Sequence, residues 1–131
     1  MTTRQELETR LATFAAANSL PVSYESVPFT KPTSGGFLEC FIISAGTVNP
    51  TADARRTRER GTFQVNLWNP SGHGVGQLDT LAAALVAAFP VVPKTGTVSI
   101  EQTPNTGRVV LDTSGYAILP VTMLWRVEGT Q

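Results

Sequence analysis

His73 is the only histidine in the chain, and Ser71 and Asp79 are the nearest residues that could join it in hydrolytic chemistry. A nucleophilic serine must lie within hydrogen-bond reach of an imidazole that a carboxylate orients. Ser71 is two residues from His73, where the side chains diverge, and Asp79 falls on the element that follows. The stretch therefore reads as a polar turn, and an enzyme would rest on His73 alone. Zinc sites gather three or four His, Cys or acidic ligands, and a chain with one His and one Cys offers a poor set. No catalytic residue, metal or cofactor is expected.

Gly72-His73-Gly74-Val75-Gly76 follows a strand-like segment and opens a helical one. A dinucleotide fingerprint would also place glycine at position 77, an acidic residue ~20 positions further on, and a parallel βαβ unit around them. Position 77 is Gln77, and the other features are missing. A chain turning sharply into a helix needs glycine in any case. Cys40, the lone cysteine, lies in FLECFII, has no partner for an internal disulfide, and reads as a small apolar residue of a core or interface.

The strongest local signal is basic. Arg55, Arg56, Arg58 and Arg60 fall within six residues and hold four of the ten positive charges. Three roles are open on sequence: a solvated loop partly paired with Asp53 and Glu59, contact with phosphates, or ion pairing across a subunit boundary. Arginines on a loop can hold backbone phosphate without reading sequence. The aromatic side chains that single-strand binders interleave are absent here. Arginine's planar fork also meets carboxylates two-pronged, which suits interfaces.

The elements that must position these residues follow from periodicity. Thr3 and Glu6 have capping-box spacing, and Leu7, Leu11, Phe14 and Ala15 recur at helical intervals up to about Asn18. Val22 to Val27 is strand-like, and Pro28 to Gly36 is a turn-rich loop. Phe37 to Val48 reads as a long strand, and Asn49 to Arg60 as a polar loop or extended arm of ~12 residues. Thr62 to Asn69 alternates, with Phe63, Val65 and Leu67 pointing one way. A second helix starts near Val75 with Leu78, Ala82, Leu85 and Phe89 on one face and stops at Pro90. Strands follow over Thr97 to Thr103, Arg108 to Asp112 and Gly115 to Val127, the last with Val121, Met123, Trp125 and Val127 on one face.

Helices segregated from hairpin-connected strands predict an α+β fold: a mainly antiparallel β-sheet with two α-helices packed on one face, in a single domain over residues 1–131. On the opposite face the pattern places Leu38, Ile42, Trp68 and Leu124, too much apolar surface for a lone monomer, and therefore a partner interface. The 131 residues, 41% of them hydrophobic, are enough for a core that needs no disulfide or metal. Ten basic and ten acidic side chains cancel, so no global field draws the molecule to nucleic acid or membrane. The N-terminal MTTRQELETRLATFAAANS is not a signal peptide, and the longest apolar run, Leu81 to Phe89, falls short of the ~20 residues that span a bilayer. The expectation is a soluble intracellular protein.

The stretch from Arg55 to Phe89, RRTRERGTFQVNLWNPSGHGVGQLDTLAAALVAAF, resembles the small tail terminator, or tail completion, proteins of long-tailed bacteriophages. Members show an arginine-bearing loop, a small residue, and a strand of form aromatic-Q-V-x-hydrophobic-W/Y. A glycine-rich turn and an alanine-rich helix ending in phenylalanine come next. The end of the chain is similar too: Thr103-Pro104 and Gly107 precede a final strand, GYAILPVTMLWR, from Gly115 to Arg126. The first helix matches loosely.

The resemblance implies a structural virion protein without chemistry. Its members form a six-membered ring on the completed tail tube, stop tube polymerisation and present their other face to head-completion or neck proteins. DNA passes through the hole without sequence-specific binding. The implied partners are copies of this chain, the tube protein and neck proteins, with no membrane; the implied location is the virion tail, assembled in the host cytoplasm. Arg55, Arg56, Arg58 and Arg60 would then serve the subunit interface with Trp68, Leu38, Ile42 and Leu124, or else line the passage. The interface is favoured, because tight cationic grips would hinder sliding DNA. Another head–tail joining component, a stopper or connector, is the alternative, and a small nucleic-acid-binding module is a further one.

Overall fold

A computed structural model of the chain describes residues 2–30, 32, 35–49, 56–70, 76–91, 98–112 and 115–130. Helix α1 spans Thr3–Ala17, and its capping box falls one residue earlier than expected. Thr2 is the N-cap and receives the Gln5 amide, while the Gln5 side chain accepts from the Thr2 N–H, so Gln takes the role assigned to Glu6. Leu7, Leu11, Phe14 and Ala15 are the buried face, as the periodicity requires, and Asn18 caps the end.

Strand β1 (Val22–Ser23) is much shorter than the segment expected to 27. A turn follows in which the Val27 N–H bonds to the Tyr24 carbonyl and Ser26 takes φ 61, which no strand can accommodate. Strand β2 (Phe37–Val48) has the expected bounds. Strand β3 (Arg56–Pro70) begins earlier than expected: the arginines from Arg56 onward lie in a strand and not in a loop. Their side chains carry no strand signal. Their backbone is paired with the last strand from Thr130 to Arg126, and from Arg58 to Arg60 also with β2 from Val48 to Gly46, and that pairing holds them extended.

Helix α2 (Gly76–Ala88) buries Leu78, Ala82 and Leu85, with Phe89 just beyond it. Short strands β4 (Val98–Ile100), β5 (Asn105–Thr106) and β6 (Val110–Leu111) all pair with β7 (Tyr116–Thr130). Among the described residues the sheet has seven strands, five of them in the order β1-β2-β3-β7-β4 with β5 and β6 also on β7, antiparallel except for β1 against β2. Pro120 lies inside β7, where a missing N–H would normally break a ladder. It sits between the stretches paired with β5 and β6, and its carbonyl still accepts from Gly107 at 2.8 Å.

Register decides which side faces the helices. Leu38, Cys40 and Ile42 of β2 stand opposite Leu67, Val65 and Phe63 of β3, which stand opposite Leu119, Val121 and Met123 of β7. Directly paired residues share a face, and all nine pack with the buried residues of α1 and α2 in one core. The fold is the expected α+β sheet with both helices on one face. The placement of Leu38 and Ile42 on the opposite, uncovered face is corrected: Leu38 is fully buried beneath the helices and Ile42 packs against the same core. A strand apolar on both sides gives no alternation from which to choose.

Candidate functional site

The uncovered sheet face is organised in bands along the strands. At one end Phe37, Trp68 and Tyr116 form a second small core, with Phe29 and Ile118 against it. Phe37 stacks on Trp68 at 5.0 Å and meets Tyr116 edge-on at 5.6 Å. Phe29, from the loop before β2, lies 5.2 Å from Phe37 and closes this end within the chain. Trp68 is therefore only 8% exposed. That corrects its assignment to an open partner surface.

A polar ladder comes next. Asn66 Nδ2 donates to Glu39 Oε1 at 3.0 Å, Trp68 Nε1 donates to the same oxygen at 3.3 Å, and Gln64 Nε2 donates to Asn66 Oδ1 at 2.9 Å. Beyond the ladder the face is open and apolar. Phe41, Ile43 and Leu124 are 37%, 58% and 36% exposed, with Thr62 between Ile43 and Leu124 in the register. A shallow cleft of about 320 Å³ lined by Gln102, Thr103, Asn105, Thr122 and Leu124 adjoins them.

The arginines border this patch. Arg60 and Arg126 stand directly opposite on neighbouring strands, an arrangement of like charges that alone would repel. Glu101 lies between them: its Oε1 is 3.1 Å from Arg60 Nε and 3.8 Å from Arg126 Nη1. The Arg60 contact is poorly aligned for a hydrogen bond, but charge attraction depends on distance more than on angle. One row further, Arg58 grips Glu128 Oε1 through Nε at 3.0 Å and Nη2 at 2.8 Å. Glu59, proposed above as a partner, points to the helix side, where it lines a cleft with Thr3, Arg4 and Trp125. Asp53 and Arg55 lie outside the described residues, as do Ser71, Gly72, His73 and Gly74; Arg56 is described only in its backbone.

Among the described residues, no group of three His, Cys, Asp or Glu side chains could hold a metal ion. Among the described residues the geometry offers no nucleophile with its base. It offers an apolar patch edged by ion pairs, which suits a protein partner better than a small molecule. Of the eight expected interface residues, Arg58, Arg60 and Leu124 meet on this face. Phe41 and Ile43, from a strand whose two apolar sides periodicity could not tell apart, complete it, and Glu101, Arg126 and Glu128 went unforeseen. Glu128 on β7 and Glu101 just after β4 could not be matched to the arginines before the register was known.

A model of phage tail terminator proteins matches residues 2–125. The chain belongs to the phage tail terminator family. As a member of that family it has a structural role in a phage tail, in a family of structural rather than catalytic proteins. No curated protein matches it in sequence. One solved structure is similar at 29% identity and a TM-score of 0.78, over 98% of this chain and 94% of that one. A second, from the virion of a native gene transfer agent particle, shares the fold at 17% identity and a TM-score of 0.60, over 90% of this chain and 86% of the other.

Proposed function

We propose that this terminator-family chain forms a six-membered ring that caps the tail tube, ends tube polymerisation and offers its far side to neck proteins, with DNA passing through the hole. The observation that supports the reading is the patch of Phe41, Ile43 and Leu124, open to solvent on a sheet whose other face two helices already cover. A monomer does not keep such a patch without cost, and subunit contact removes it from water. The ion pairs of Arg58 and Arg60 form the polar rim that interfaces commonly carry. Assembly in the host cytoplasm and residence in the virion tail follow from the same reading.

The test is direct. Purified tail tubes are incubated with the chain and viewed by electron microscopy while tube growth is followed by light scattering. Ring-shaped density at tube ends and arrested growth are expected; tubes that keep lengthening without end density overturn the reading. Replacing Arg55, Arg56, Arg58 and Arg60 with Ser should leave a folded monomer that forms no ring. If rings persist and only DNA passage fails, the arginines line the passage instead. DNA retention by the isolated chain that falls steeply with salt would favour a nucleic-acid module.

A further inference from the structure

We propose that the apolar sheet patch of one copy seats the outer face of helix α2 of the next copy, head to tail; this rests on the ring reading and names the two surfaces that meet. The helices cover one side of the sheet, so the outer face of α2 and the open patch lie on opposite sides of the molecule. Surfaces that differ and lie on opposite sides form a repeating contact, which makes a ring when the rotation closes.

Helix α2 is built for such a contact. Thr80, Ala83, Ala84 and Ala87 are exposed along its outer face, and residues 80 to 88 contain no charge at all. The Thr80 hydroxyl turns back onto the Gly76 carbonyl at 3.0 Å, which leaves it no outward donor to offer. A helix that stays in water carries polar and charged residues on its outer face, and α1 does so with Arg4, Gln5, Thr9 and Thr13. Small side chains let a helix lie close on a sheet, and the bulk at the contact comes from Phe41, Ile43 and Leu124 on the other side.

Charge complementarity selects this occupant. Asp79 is the only charged residue of α2; it is exposed and flanks the alanine face. The sheet patch is bordered by a row in which one carboxylate, Glu101, serves two guanidinium groups, Arg60 and Arg126. That row carries a net positive charge, and Asp79 of the arriving copy supplies the missing carboxylate. A tube protein on the same patch would leave Asp79 and the alanine face of α2 without a role.

The experiment uses full-length chains with Cys40 replaced by Ser, so that each carries one introduced thiol. One population is Ile43→Cys and the other Ala84→Cys, tagged to differ in size; both are mixed with tube ends and treated with a short bismaleimide. Mixed dimers at least about tenfold above self-linked products are expected, and the chain carrying both substitutions should give a ladder ending at the ring. Leu124→Cys with Ala87→Cys is the second pair. Self-linking of Ile43→Cys, or linking of it to tube protein, overturns the inference. So does the absence of linking by both pairs while wild-type caps are visible, in which case the ring reading stands and the contact lies elsewhere. If wild-type chain never forms caps, the ring reading fails and takes this inference with it. In a parallel arm, Asp79→Lys and Arg126→Glu should each reduce ring formation about tenfold at low salt, and the double variant should restore it. Equal assembly by all three removes the charge argument and overturns the assignment.

Discussion

The indole of Trp125 lies across Gly61, its direct partner on β3, and occupies the space a side chain there would need. A Cβ at Gly61 would come within 2.6 Å of Trp125 Cε2 and nearer still to Cζ2 and the Ile43 carbonyl oxygen. Trp125 is 1% exposed and is among the largest buried side chains of the core. Gly61 is therefore a packing requirement in the strand that carries the arginines, and not a hinge. Gly61→Ala should destabilise the chain by about 1–3 kcal/mol through overpacking, and chemical denaturation of the two proteins measures it. An unchanged midpoint would show that the indole moves aside freely.

Glu101 keeps two arginines from repelling each other. Replacing it with Gln removes the carboxylate but keeps the shape, and leaves Arg60 facing Arg126 across the strands. The expected loss is about 1 kcal/mol at low salt, shrinking as salt screens the pair. Arg126→Gln in the Glu101→Gln background should recover part of it. Denaturation midpoints at two salt concentrations check both.

Burial pushes the Cys40 thiol up to about 12 from an ordinary value near 9.0, with Glu8 and Glu25 adding in the same direction. A thiol kept neutral in the fold and free to ionise in the unfolded chain favours unfolding as pH rises. Its contribution is intact below the unfolded value near 9.0 and declines as pH climbs from there towards 12. Cys40 should resist thiol reagents at pH 8 until denaturant is added, and Cys40→Ala should flatten the alkaline fall in stability. Rapid labelling of native chain would contradict its burial.

Glu25 reaches β2 and accepts from the Ile42 N–H, while Arg4 Nη1 donates to the same oxygen at 3.0 Å. Desolvation alone would raise its pKa, but the Ile42 amide and the Arg4 guanidinium outweigh it and hold the carboxyl below the usual carboxylate value of 4.5. The stability this adds is present above the unfolded pKa and disappears as pH falls through the lower folded one. Glu25→Gln should cost about 1 kcal/mol at pH 7 and nothing at pH 2. A pH series of denaturation midpoints tests the convergence.

Some of this was legible from residue order alone. Leu7, Leu11, Phe14 and Ala15 set the inner face of α1, and Leu78, Ala82, Leu85 and Phe89 that of α2, because a helix repeats every 3.6 residues whatever surrounds it. Phe63, Val65 and Leu67, and Val121, Met123 and Trp125, likewise declared their common faces by alternation. The family could be recognised from the Arg55–Phe89 stretch and the closing GYAILPVTMLWR.

The open surface was a different matter. Phe37 to Ile43 is apolar on both sides, so no period could say whether Leu38 or Phe41 faced the helices; pairing Leu38 with Leu67 settled it. Trp68 looked free until Phe29 and Tyr116 closed around it, and the arginines looked like a loop until two neighbouring strands held them straight. Local periodicity is a property of one segment and survives in sequence. Which of two apolar faces is covered, and which carboxylate lies beside which arginine, depends on residues as far apart as Arg58 and Glu128, brought together only by strand register.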